Sequence, residues 1–281
     1  MVHFVSTDSL PYTVLILLVE LAVGALIFVT LFDTRNMVTR GYVQTGAAIV
    51  VPTAVLALLI AFSLNSKSEI DGFTLRPSVL DGFRVLLVLF TIVAVLNMLT
   101  AFTEQMRVAR LLGIIGGLIG TIAIALLAAL VAIPAWSYAG VLASMLTSAL
   151  VLGGTLMAMS WGHWYLTNSG LPKKPLEQMS LLVLVAIILQ LLLTIVAAVA
   201  PVREVPITQT AFGVALQENP AFWFRISVGL LFPLILTWLA WQAATIRGMM
   251  SATGLLYIAV GAVLTGEVLA RGLLFATGVA A

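Results

Sequence analysis

The run Leu10–Phe32, LPYTVLILLVELAVGALIFVTLF, carries a single charged side chain, Glu20, in an otherwise apolar or weakly polar stretch. A helix needs about 20 mostly apolar residues to cross a hydrocarbon layer of roughly 30 Å, and this run meets that length. Seven more stretches follow it: Thr45–Leu64, Phe83–Thr103, Leu111–Ile133, Val141–Trp161, Met179–Ala200, Phe222–Ala244 and Gly254–Phe275. The pattern predicts an all-α polytopic integral membrane protein with eight transmembrane helices, one transmembrane domain over 1–281. The connections are too short to hold a separate soluble domain.

Composition agrees. The 281 residues are 62% hydrophobic and 9% charged, where soluble domains carry roughly 25% charged residues. So few charges cannot coat a water-facing surface of this size, so the lipid bilayer is the expected solvent. A net charge of +2, spread over short loops, speaks against nucleic acid as a partner. Cysteine is absent, which removes disulfides, thiol chemistry and Cys-ligated iron–sulfur or zinc sites. Met1–Ser9 has neither a basic segment nor a small-residue cleavage site. The first helix is therefore expected to serve as its own insertion signal.

Arg35, Arg40, Arg107, Arg110, Lys173, Lys174 and Arg247 fall in the loops between helices 1–2, 3–4, 5–6 and 7–8. Lys67, Arg76 and Arg203, with Arg84 and Arg225 at helix starts, fall on the other side. The positive-inside bias predicts both termini outside, in a bacterial or archaeal inner or plasma membrane. It also puts the two longest connections, Asn65–Gly82 and Pro201–Ala221, outside as lid or docking segments. Helices 3 and 7 open alike, with Phe83-Arg84 and Phe224-Arg225, and each follows a long outside loop. That likeness suggests a parallel repeat, 1–140 and 141–281, folded as two four-helix bundles.

Chemistry inside a span is expected where ionisable groups lie, because a lone charge in lipid is costly. Glu20 sits mid-helix in LLVELAVG, and Glu267 lies within the last helix in LTGEVLARG. Each must be paired, protonated or wet. Glu267 and Arg271 share a helix face at i, i+4, which fits either a self-neutralising structural pair or part of a site. His163, in WGHWYLT, fits an interfacial aromatic belt or a proton-exchanging residue. Haem would need a second histidine, and His3 lies toward the other face, so no intrinsic haem or iron–sulfur cluster is expected. Asn97 and Gln190 read as helix-to-helix glue. Pro52 and Pro233 read as bends, and Gly113, Gly116, Gly117 and Gly120 as a close-packing stripe. Arg84 and Arg225 read as side chains that snorkel to the interface. No phosphate loop, zinc-protease motif or nucleophile elbow is present.

The segment Thr265-Gly-Glu-Val-Leu-Ala-Arg-Gly-Leu-Leu-Phe resembles the last helix of DMSO-reductase-type membrane anchors, within the polysulfide reductase NrfD family. Those anchors share a Gly-Glu…Gly-Arg…Phe pattern there. The resemblance implies eight helices, outside termini, quinone or quinol binding, and docking of iron–sulfur or other redox subunits. Its His-Leu-Gly segment after helix 2 has no counterpart, since Asn65-Ser-Lys-Ser-Glu-Ile-Asp stands there. Only Glu267 and Arg271 carry over.

The expected function is thus the membrane anchor subunit of a respiratory or electron-transfer complex. In it, Glu20, Glu267 and His163 exchange protons or hydrogen-bond a quinone, with Arg271 beside them. The alternatives are a proton-coupled secondary transporter and a ligand-free structural or assembly subunit.

Overall fold

The computed structural model of the chain describes residues 8–168, 170–204 and 216–280. Eight helices among them are long and apolar enough to cross a membrane: α1 Leu10–Thr34, α2 Arg40–Ser63, α3 Leu80–Phe102, α4 Met106–Val131, α5 Tyr138–Thr167, α6 Lys174–Val199, α7 Pro220–Thr245 and α8 Met249–Thr277. The protein is an all-α polytopic membrane protein. Several helices outrun their apolar stretches; α5 continues past Trp161 to Thr167 and α8 begins at Met249. Hydropathy marks the hydrocarbon, whereas backbone hydrogen bonding carries on through the polar interface. His3 and the middle of the connection between α6 and α7 lie outside the described residues.

Two rings of four helices share one wall. In the first, α1 borders α2, α2 borders α3, α3 borders α4, and α4 returns to α1. In the second, α5, α6, α7 and α8 follow each other in the same way. The wall between them is mainly α1 against α5. Burial picks out the same pair: 72% of the apolar core of α5 and 67% of that of α1 are buried, against 33% for α2, α3 and α6.

Glycine makes that wall possible. A Cβ on Gly24 would stand 1.7 Å from the carbonyl oxygen of Ala149, and one on Gly153 would stand 2.1 Å from the Ala25 nitrogen. The two backbones therefore touch, as small residues allow between membrane helices. The α4 stripe acts differently, receiving side chains from α1: Thr30 at Gly113, Leu26 at Gly116 and Val23 at Gly120. Asn97 ties α3 to α4 through the Ala109 carbonyl at 2.7 Å.

Two connections are more ordered than loops need be. Between α2 and α3, Glu69–Ile70 and Phe73–Thr74 pair as an antiparallel hairpin across Asp71 and Gly72, which have φ of 50° and 80°. Positive φ at both positions makes the tight turn whose twist suits a hairpin. The hairpin is fastened down. Phe73 is fully buried and meets Phe275 of α8 edge-on at 5.0 Å, while Phe275 meets Tyr12 of α1 at 6.3 Å. The Ser9 amide donates to Asp71 (3.1 Å), and Lys67 pairs with Asp8 at 2.7 Å, which raises the lysine pKa. The hairpin thus plugs the end of the bundle where α1 begins and α8 finishes, hereafter the hairpin end. The opposite, basic end carries the ion pairs Arg40–Glu104 and Arg110–Asp33.

Helix α7 is irregular. Pro220–Ile226 is α-helical, Ser227–Leu231 widens to a π turn, and Phe232–Thr245 resumes the α form. Pro233 explains the widening: its ring collides with the carbonyl four residues back in a regular helix, here that of Gly229. Pro52, by contrast, is accommodated within one continuous helix.

The α1–α5 contact generates a direct prediction. Gly153→Leu drives a side chain into the α1 backbone, and overpacking of this kind costs about 1–3 kcal/mol or more. The variant is expected to lose monodisperse protein in detergent, whereas Gly254→Leu, where nothing lies within 4 Å, is expected to leave the elution profile unchanged.

Candidate functional site

Glu20 and Glu267 come together at the wall between the rings. By helical rise, each lies about 15 Å from the hairpin end of its helix. Glu20 Oε1 is 2.8 Å from Arg271 Nη2, so the pair joins α1 of one ring to α8 of the other. Arg271 Nη2 is also 3.4 Å from Glu267 Oε2 and donates to Ser148 Oγ of α5 at 2.7 Å. Glu267 Oε1 stands 3.0 Å from Arg225 Nη2 of α7. All four charged side chains are fully buried. The i, i+4 relation of Glu267 and Arg271 is real, but it is one link in a longer chain: Glu20, Arg271, Glu267, Arg225.

Arg225 corrects the sequence reading. It was expected to snorkel to the interface like Arg84; instead it points inward and is sealed from solvent. Helix α7 starts at Pro220, so Arg225 already stands in its second turn. The π turn that follows brings Gly229 against Gly266, where a Cβ on either would come within 2.5 Å of the other's Cα. This contact lies one residue from Glu267 and seats Arg225 over its carboxylate. A charge count held the signal: two interior carboxylates with one interior arginine leave one charge unmatched. Arg84 behaves as expected of an interfacial arginine, pairing with Asp81 at 2.9 Å and donating to the Ala61 carbonyl at the end of α2 at 3.0 Å.

Gln190 of α6 completes the cluster and is more than glue. The amide orientation that satisfies its neighbours has its oxygen accepting from Arg225 Nη2 at 3.1 Å and Ser148 Oγ at 3.3 Å. In that orientation its nitrogen donates to the Ser144 carbonyl at 3.2 Å. Even so, the cluster is incompletely hydrogen-bonded. Both Glu20 oxygens, Glu267 Oε1, and Nε and Nη1 of both arginines lack a hydrogen-bond partner. The short Glu20–Arg271 and Glu267–Arg225 approaches are therefore charge contacts without hydrogen-bond alignment. Formal charge sums to zero, which lets the group exist in an apolar interior.

His163 is not part of this group. It sits near the basic end of α5, exposed, with Nδ1 2.7 Å from the Tyr257 hydroxyl of α8. Tyr257 precedes Glu267 by about 15 Å of helix. The structure thus unites Glu20, Glu267 and Arg271 and leaves His163 on the outer surface of the bundle. Among the described residues, no group of three His, Cys, Asp or Glu side chains is placed to hold a metal ion.

Removing one member of a buried pair strands its partner, at about 3–5 kcal/mol. Arg271→Met is therefore expected to lower the thermal unfolding midpoint in detergent more than the double Glu20→Gln, Arg271→Met variant does, because the double variant leaves the neutral Glu267–Arg225 pair behind. A double variant no more stable than the single one would show that charge pairing is not what holds α1 to α8. Compared with models of known protein families, with curated proteins and with solved structures, the chain matches none.

Proposed function

We propose that this chain is the membrane subunit of an electron-transfer complex, binding quinone or quinol and docking the redox subunits that supply or take its electrons. The observation that carries the reading is the buried chain of two carboxylates and two guanidiniums, carried by the three helices α1, α7 and α8. Quinone reduction takes up two electrons and two protons. A carboxylate in an apolar interior is suited to exchanging protons, and a guanidinium to holding a carbonyl or quinolate oxygen. Arg271 and Arg225 keep Nε and Nη1 donors without partners. Electrons must come from another subunit, since a chain without cysteine binds no Cys-ligated cluster of its own. The likeness of Gly266, Glu267, Arg271 and Phe275 to the Gly-Glu…Gly-Arg…Phe pattern of reductase anchors points the same way.

A proton-coupled transporter is the second reading. Two rings with an ion pair across their wall would suit it, but alternating access needs one ring to rock against the other. The α1 and α5 backbones interlock at Gly24 and Gly153, and such a wall favours a fixed site over a moving one. His163 and Tyr257, at the opposite end, remain a separate candidate for exchanging protons at the membrane surface.

The test is native purification with all copurifying subunits, followed by quinone extraction and quinol turnover. Glu20→Gln and Glu267→Gln are each expected to lower turnover by about 10²-fold, the low end of what a positioned acid or base contributes, with subunit composition unchanged. Wild-type turnover in both variants would remove the cluster from the reaction. Solute uptake by the lone chain in proteoliposomes would replace the anchor reading with the transporter.

A further inference from the structure

Buried hydroxyls on these helices mostly face their own backbone. Thr91, Thr147, Thr155, Thr237, Thr253 and Thr277 each donate to the carbonyl four residues earlier. This is the usual way for a hydroxyl to be satisfied inside a membrane helix. Along the seam between α5 and α6, three hydroxyls at the charge cluster and on its hairpin side do otherwise. Ser148 Oγ meets Arg271 Nη2 at 2.7 Å, and Ser144 Oγ lies 3.2 Å from the Gln190 amide. Thr194 Oγ1, fully buried, has no partner.

Their order along the seam is directional. Ser144 lies one turn from Ser148, and Thr194 one turn from Gln190, each toward the hairpin end. Beyond them Trp136 lies over Gly140, its Nε1 buried and without a partner, and packs against the small cluster that holds Ala197 and Phe222. In the other direction the same face of α6 is closed by Ile187, Ala186, Leu184 and Val183, all buried, which separate the cluster from the next hydroxyl, the buried and unpartnered one of Ser180. Polar groups thus run from the charge cluster toward the hairpin end, and an apolar stretch blocks the basic end.

We propose that Ser148, Gln190, Ser144 and Thr194 form a one-sided proton path through the α5–α6 seam, connecting the hairpin end to the Glu267 carboxylate. The proposal rests on the reading of the cluster as a proton-exchanging site. Each hydroxyl accepts a proton on a lone pair and releases its own from the O–H, with ordered water bridging the gaps between side chains. Gln190 orients Ser144 and Ser148. At the end of the path a carboxylate takes the proton and becomes a neutral acid, and the cluster gains one positive charge. The groups that face Glu267 during this step are Arg271 of its own helix, Arg225 of α7 and, through Arg271, Glu20 of α1, with Ser148 of α5 and Gln190 of α6 around them. The arginines stay protonated, so only the carboxylates change state.

Thr194 is the informative position, because its hydroxyl makes no hydrogen bond to any of the four charged groups. The full chain in lipid nanodiscs is subjected to a rapid pH drop, and the carboxyl C=O infrared band is followed in time. Its loss in Glu267→Gln assigns the band. Thr194→Val, which keeps the shape and removes the hydroxyl, is expected to slow the band's appearance about tenfold. Thr194→Ser is expected to restore the wild-type rate. Should Thr194→Val fail to fold, Ser144→Ala is expected to slow the band in the same way. A band rising at the wild-type rate in the valine or alanine variant, or no carboxyl band in the wild-type chain, would overturn the path. A hydroxyl-dependent rate in a protein without quinol turnover would keep the path and remove the electron-transfer reading.

Discussion

An ionised side chain in hydrocarbon is stabilised only by an opposite charge or by hydrogen bonds, and the bundle is arranged around meeting that demand for Glu20. No residue of α1 can neutralise it, so the partner has to come from elsewhere. Arg271 of α8 supplies it at 2.8 Å. Arg271 is then shared with Glu267, whose second oxygen calls for Arg225 of α7. One unmet charge on the first helix thus recruits the last two helices, and with them Ser148 of α5 and Gln190 of α6. Buried pairs of this type contribute little net stability relative to apolar packing, yet breaking one is expensive. Their effect is therefore on which arrangement of helices is tolerated.

The glycines permit what the charges require. Carboxylate and guanidinium reach each other across helices only if the axes come close enough. The backbone contacts of Gly24 and Gly153 hold α1 to α5, and those of Gly229 and Gly266 hold α7 to α8. The second pair depends on the π turn ahead of Pro233, so an irregularity imposed by one proline decides where Arg225 points. At the hairpin end, Phe73, Phe275 and Tyr12 form an aromatic cover. On α1 and α8 this cover lies above the charged layer, so the polar seam of α5 and α6 is left as the hydrophilic route toward it.

Much of this was legible in the sequence. Eight apolar runs of membrane-spanning length specify eight helices, because an unpaired backbone cannot remain in lipid. Glu20 and Glu267 announce themselves as interior charges for the same reason, and the spacing of Glu267 to Arg271 shows that they share a face. The α4 glycine stripe and Asn97 also behave as their residue types suggest. Each of these features depends on local spacing or on the cost of a residue type in hydrocarbon.

What the tertiary structure decided is everything that depends on which helices meet. Arg225 reads as interfacial by its position near a helix start, and only the earlier start at Pro220, the π turn and the Gly229–Gly266 contact turn it inward. Gln190 reads as glue until Arg225 is placed beside it. His163 reads as a companion of the carboxylates, yet α5 meets α8 there through Tyr257, which stands about 15 Å from Glu267 along α8. The sequence by itself determined the eight membrane helices and the two carboxylates that must find partners, because hydrophobic length and the cost of charge in lipid are local properties. The partners themselves were left to the tertiary structure, because a charge can be neutralised from any neighbouring helix and only packing selects which one.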